Sequence, residues 1–158
     1  MWDWIGLVAR LVTGCVWFVA GALKLPDLPS SVRAVRAYDL LPEAIVPAVG
    51  TALPIVEVLL GSMLILGVLT RFAGAVSALL FIAFIIGISA AWARGLSIDC
   101  GCFGGGGYEA DATSKYPWEI ARDVGLLALS MWLVVRPASR FALDSRIMRL
   151  TPSGEDNR

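Results

Sequence analysis

Residues 72–93 read FAGAVSALLFIAFIIGISAAWA, 22 positions without a charge. A helix crossing the hydrocarbon core of a bilayer needs about 20 mostly apolar residues, so this run is a spanning helix by length and composition. Three further stretches fit the same template less cleanly. Residues 44–69 are broken only by Glu57, with Pro47 and Pro54 in the outer half; residues 5–23 are interrupted by Arg10; residues 118–135 carry Glu119, Arg122 and Asp123 in their first two turns. The expected fold is all-α, a four-transmembrane-helix bundle over residues 1–136. Its connections are a loop over 24–43, a tight turn at Thr70-Arg71 and a loop over 94–117, and a basic amphipathic or disordered tail follows over 137–158.

Composition agrees with lipid as the main solvent. The chain is 58% hydrophobic and 16% charged, with a mean hydropathy of +0.75, whereas soluble domains carry nearer ~25% charge. The net charge is zero and the pI about 6.2, which points away from nucleic acid as a partner. There is no histidine, so His-ligated haem, His-containing zinc sites and His-based triads are excluded. A rival reading makes the N-terminus a signal peptide with an h-region over 11–20 and an Ala20-Gly21-Ala22 cleavage site. Against it, Trp2, Trp4, Ile5, Leu7 and Val8 make an apolar helix start where a polar n-region belongs.

Orientation follows from Lys and Arg near the span ends. With both termini on one side, that side holds Arg71, Arg136, Arg140, Arg146, Arg149 and Arg158. The other holds Lys24, Arg33, Arg36, Arg94 and Lys115, offset by Asp27, Asp39, Glu43, Asp99, Glu109 and Asp111. Both termini are therefore expected in the cytoplasm, with the 24–43 and 94–117 loops outside. In the tail, Arg140, Arg146 and Arg149 alternate with Phe141, Ile147 and Leu150, which suits either a helix on the anionic inner leaflet or a frayed solvated end.

In the first outer loop, Ser30-Ser31 suits the cap of a short interfacial helix through Tyr38, ended by Leu41-Pro42. Small residues at helical spacing read as packing faces, because lipid removes the hydrophobic drive between helices. These are Gly14 and Gly21, Gly61 and Gly67, and Ala83, Gly87 and Ala91. Cys15 reads as a small hydrophobe in the packed interior.

The chemistry-bearing motif is Cys100-Gly101-Cys102, followed by Phe103 and four glycines. A disulfide wants Cα atoms ~4.4–6.8 Å apart and a torsion near ±90°. Residues i and i+2 meet the distance, the small ring strains the torsion, and Gly101 relieves it. A strained, exposed pair is the exchangeable, oxidising kind, and the extracytoplasmic side is where a disulfide persists. No cation adjoins the pair, and Asp99 opposes thiolate formation, leaving backbone N–H groups as the source of positive potential. An inert loop staple remains open on these residues alone. A metal site is disfavoured, since two thiolates half-ligate a tetrahedral ion.

Ionisable residues inside the membrane are costly and are usually paired. Arg10 lies about two turns from the cytoplasmic end, where it either snorkels or organises the bundle. Glu57 lies ~18 Å from the inner end at ~1.5 Å per residue, with Arg10, Lys24 and Arg122 as candidate partners. Glu57, Arg10 and the Arg122-Asp123 pair read as bundle-organising contacts first, and as proton- or quinone-binding groups second.

Five pieces taken in order resemble the methylamine-utilisation MauE family of DoxX-like membrane proteins. They are Arg10-x3-Gly14-x6-Gly21-x2-Lys24, Ala37-Tyr38-Asp39-Leu40-Leu41-Pro42, Pro54-x2-Glu57-x3-Gly61, Cys100-Gly101-Cys102-Phe103-Gly104 and Arg122-Asp123. The resemblance implies a multi-pass protein of the bacterial plasma membrane. It also implies a role in maturing the disulfide-rich small subunit of methylamine dehydrogenase, alongside a thioredoxin-like extracytoplasmic partner. Four-helix thiol oxidoreductases typically carry two cysteine pairs, and this chain carries one. Electrons would then pass directly to a membrane quinone or a second protein, with Cys100 and Cys102 as the exchanging pair and no covalently bound cofactor. A scaffold with a structural disulfide and a small-solute carrier using Glu57 are the alternatives.

Overall fold

The computed structural model describes residues 2–99 and 107–136. Helix α1 (Trp2–Lys24) runs through a 3-10 turn, Leu25–Asp27, into the ten-residue α2 (Leu28–Ala37). Helices α3 (Val46–Leu66) and α4 (Thr70–Ala93) follow, then a two-residue antiparallel pair, β1 (Ile98–Asp99) with β2 (Gly107–Tyr108), and last α5 (Ala112–Val135).

Burial is inverted relative to a water-soluble bundle. Glu57, Asp123, Thr13, Ser77 and Ser130 lie inside, while Leu59, Phe72, Leu79, Ile86 and Val135 face out, Leu79 being 67% exposed. Large apolar side chains outside and small or polar ones inside are what a lipid solvent favours, because only the interior offers polar groups a partner. Three stretches are long and apolar enough to cross a membrane: Trp4–Ala37, Val46–Leu66 and Thr70–Ala93. The sequence reading expects a fourth over 118–135. α5 covers it and starts earlier, at Ala112, but Glu119, Arg122 and Asp123 interrupt its apolar character.

Helix pairing does not follow chain order. α1 lies along α3 and α4 lies along α5, whereas the consecutive α3 and α4 scarcely touch. Glycine explains the first seam. A Cβ on Gly61 would stand 2.5 Å from the Phe18 amide nitrogen, and one on Gly21 would stand 2.6 Å from the Pro54 carbonyl oxygen. Gly50 does the same for α2, where a Cβ would stand 2.6 Å from Val32 Cα. Around the seam, Trp17, Leu60, Leu64, Phe81 and Leu133 form the core, with Trp17 stacked on Phe81 at 4.5 Å between ring centroids.

Four local expectations are corrected. The cap of α2 is Asp27, whose carboxylate accepts the Ser30 N–H at 3.1 Å; Ser30-Ser31 lie inside the helix. Gly67 is no packing glycine: it ends α3 at φ 70°, a left-handed conformation that glycine adopts without a Cβ clash. The tight turn accordingly falls at 67–69, and Thr70 and Arg71 open α4. Cys15 points outward, not into the packed interior, because the inward face of α1 is taken by Thr13, Gly14 and Trp17. Tail residues 137–158 lie outside the described residues, as do Cys100 and Cys102.

The connection from α2 to α3 is held by an exposed clasp in which Arg36 Nε donates to both oxygens of Glu43, at 2.9 and 3.0 Å. The hydrogen bond from Arg36 lowers the Glu43 pKa below its ordinary value, and the guanidinium charge adds to this. A carboxyl depressed in the folded state contributes its stabilisation above the unfolded pKa, about 4.3, and loses it as pH falls through the lower folded value. Amide protection factors over 38–45 should therefore fall as pH drops below about 4. In Glu43→Gln that pH step should be absent.

Candidate functional site

The ends of the bundle differ. The C-terminal end of α1, all of α2, the start of α3, the end of α4 and the start of α5 gather at one end, together with the β1–β2 pair. Lys24 closes α1 at this end, whereas Arg10 lies in the other half of α1.

The deepest feature is an ion pair. Lys24 Nζ stands 2.7 Å from Glu57 Oε1 and 3.0 Å from Oε2, with the side chains 4% and 0% exposed. Lys24 closes α1, where a cation also meets the negative end of the helix dipole. Glu57 lies one turn after the buried Pro54, against which α1 packs through Gly21. Of the three partners open to Glu57 in the sequence, the structure selects Lys24. Arg122 instead pairs with its chain neighbour, Nε and Nη2 donating to Asp123 Oδ1 at 2.9 and 2.8 Å. Arg10 is buried at 2% exposure, which removes snorkelling as its role.

Glu57, Arg122 and Asp123 converge on a small internal cavity with Trp17, Phe81 and Phe84. Its volume, about 10 Å³, is room for one water. Two of its lining residues carry buried polar atoms, Trp17 Nε1 and Asp123 Oδ2, with no protein hydrogen-bond partner among the described residues. Arg10 does not line this cavity. The three charged residues grouped in the sequence reading thus do not enclose one ligand-sized space.

A second cavity, of about 260 Å³, lies between α2, α3 and α4. Lys24 reaches its wall, so the Lys24–Glu57 pair separates the two spaces. The turn over it is tied down by Arg94 at the end of α4, which donates to the Tyr38 carbonyl.

The cysteine motif is bracketed by structure. Asp99 pairs with Gly107 and Ile98 with Tyr108, so residues 100–106 join two paired strands. Tyr116 of α5 locks the base of this pair: its hydroxyl accepts the Ile98 N–H at 3.1 Å and lies 2.6 Å from the Leu96 carbonyl, to which it donates. The sequence reading missed Tyr116; its only signal was an aromatic with a polar tip opening the fourth helix. Lys115 beside it pairs with Glu109, and its pKa is raised above the ordinary lysine value, chiefly by that hydrogen bond and further by the charges of Glu109, Asp99 and Asp111. The base of the motif is thus acid-rich with one cation among the acids.

An apolar exterior, three membrane-length helices and a charge pair sealed inside point to a multi-pass membrane protein. The family model for methylamine utilisation protein MauE matches residues 2–136, and the chain belongs to that family. No curated protein and no solved structure matches it.

Proposed function

We propose that this MauE-family protein is a membrane thiol–disulfide redox protein. It would support the maturation of extracytoplasmic proteins, in the family's context the methylamine dehydrogenase small subunit. The observation that carries the reading is the Cys100-Gly101-Cys102 pair between two strands whose base is bolted to α5 by Tyr116. Such an anchored mount suits a pair that must meet a partner in one orientation. In this reading the 118–135 stretch of α5 is the fourth span, with Lys115 outside it. At ~1.5 Å per residue it is long enough to cross, and Asp123 turns inward. The termini are cytoplasmic, and the motif faces the oxidising side of the bacterial plasma membrane.

The exchange runs through a mixed disulfide. A thiolate of a thioredoxin-like partner attacks one sulfur of the Cys100–Cys102 disulfide, and the other cysteine leaves as a thiolate. The partner's second thiolate then attacks the partner sulfur of the mixed disulfide and expels the remaining CxC cysteine as a thiolate, which leaves the partner oxidised and the CxC as a dithiol. Two electrons and two protons must next leave the dithiol, and a membrane quinone is the acceptor class at hand in the bilayer.

Cys100→Ser and Cys102→Ser should each abolish client disulfide formation, while membrane insertion, followed by resistance to carbonate extraction, stays at the parental level. A double-serine variant that fully supports client oxidation would remove the redox reading in favour of a scaffold.

A further inference from the structure

We propose that the chamber between α2, α3 and α4 takes up the ring of an isoprenoid quinone from the bilayer, with Lys24 as its hydrogen-bond donor. This rests on the redox reading above for its physiological sense, and on the following geometry for its chemistry.

The chamber holds about 260 Å³, a little below the ~300–1,000 Å³ usual for small-molecule sites, so it suits a ring and the start of its tail. Its wall is apolar except for Lys24, Ser31 and Tyr38, and Tyr38 and Phe84 supply aromatic faces. An ammonium has three N–H bonds, and Glu57 takes two of them. Because Glu57 already neutralises Lys24, an anionic lipid headgroup gains no net charge partner here. A neutral carbonyl oxygen does gain a donor, at no further desolvation of charge.

Access and exclusion follow from packing. α3 and α4 scarcely touch, and the exposed apolar Leu40, Leu41 and Val49 stand at the chamber, which gives a lipid-soluble molecule an apolar route in. Ala83 lines the chamber from α4 with only a methyl group, and on the same helix Gly87 lets the Tyr38 ring lie 3.4 Å from where a Cβ would stand. Two small residues at four-residue spacing keep this space from being filled by α4's own side chains.

Protons have a path as well. Quinone reduction consumes two electrons and two protons, the number released when the Cys100–Cys102 dithiol closes to a disulfide. Lys24 lines the chamber, its ion-pair partner Glu57 lines the one-water cavity, and Asp123 of α5 lines that same cavity. Protonatable groups thus run from α5 to the chamber without entering the lipid.

The test is photo-cross-linking of the full chain in lipid nanodiscs with an azido-benzoquinone bearing a decyl tail, mapped by mass spectrometry. Label should fall on α2 and α4 residues of the chamber, and unlabelled decylubiquinone should displace it while added phosphatidylglycerol should not. Ala83→Trp should cut labelling about tenfold or more by filling the space. Ile86→Trp, a lipid-facing change on the same helix, should leave labelling unaltered. Labelling untouched by Ala83→Trp, or confined to the outer faces of the helices, overturns the proposal; displacement by phosphatidylglycerol does so too, making the chamber a phospholipid site. The Cys100→Ser/Cys102→Ser variant separates this proposal from the redox reading. Chamber labelling that persists in a variant still oxidising client removes the redox reading alone. Absent labelling in a parent whose cysteines are essential removes the chamber alone.

Discussion

Lys24→Met should destabilise the bundle by about 3–5 kcal/mol, because it leaves Glu57 buried without its counter-charge. Glu57 is 0% exposed and accepts twice from Lys24. The Met side chain fills similar volume, so the loss is electrostatic rather than a cavity effect. Thermal unfolding in detergent, followed by helical circular dichroism, should show a midpoint several degrees lower. A second change decides the cause. Replacing both members, Lys24→Met with Glu57→Leu, should recover most of the loss, since well-packed apolar residues commonly replace a buried pair without penalty. A double variant as unstable as the single one would mean that the pair is not what is lost. Function should separate from stability in the same series: the double variant should fold yet bind no quinone, as the chamber then lacks its donor.

Gly61→Ala should be the most damaging single methyl group among the described glycines. Its Cβ would stand 2.5 Å from Phe18 N, 2.7 Å from Gly14 O and 2.8 Å from Phe18 Cα, all of them α1 backbone atoms that no side-chain rotation can move. The helices must separate along the seam that organises half the bundle, at a cost of about 1–3 kcal/mol or more. Gly125→Ala is the matched contrast. Nothing lies within 4 Å of a Cβ there, so removing a helix-interior glycine should stabilise α5 by up to about 1 kcal/mol. Equal melting temperatures for the two variants would contradict the close α1–α3 approach.

The lipid-facing architecture was readable along the chain because it depends on composition in windows of about 20 residues. The 72–93 run needs no tertiary information, and α4 covers it as Thr70–Ala93. Gly14, Gly21 and Gly61 were readable as a packing face for the same reason, since small residues at helical spacing have one main use in lipid. The same rule over-reached at Gly67, where position at a helix end, not spacing, sets the role. It also passed over Gly50, which receives α2 and has no small partner at helical spacing to flag it.

Polar partnership was the least legible part. Arg10, Lys24 and Arg122 are equally plausible partners for Glu57 in one dimension, because helical rise gives depth and not azimuth. The choice of Lys24 needs the crossing of α1 over α3, set by glycine contacts between residues more than 30 positions apart. Tyr116 was invisible for a related reason. Its hydroxyl bonds backbone groups 18 and 20 residues away, and nothing in a local window marks a side chain chosen for a backbone target.

The sequence by itself determined the solvent and the helices, since hydropathy and length are properties of neighbouring residues. Only the tertiary structure decided which buried charges neutralise one another and where empty space remains. The α1–α3 and α4–α5 seams leave α3 and α4 apart, and that gap, which no stretch of sequence encodes, is the chamber at whose wall Lys24 stands.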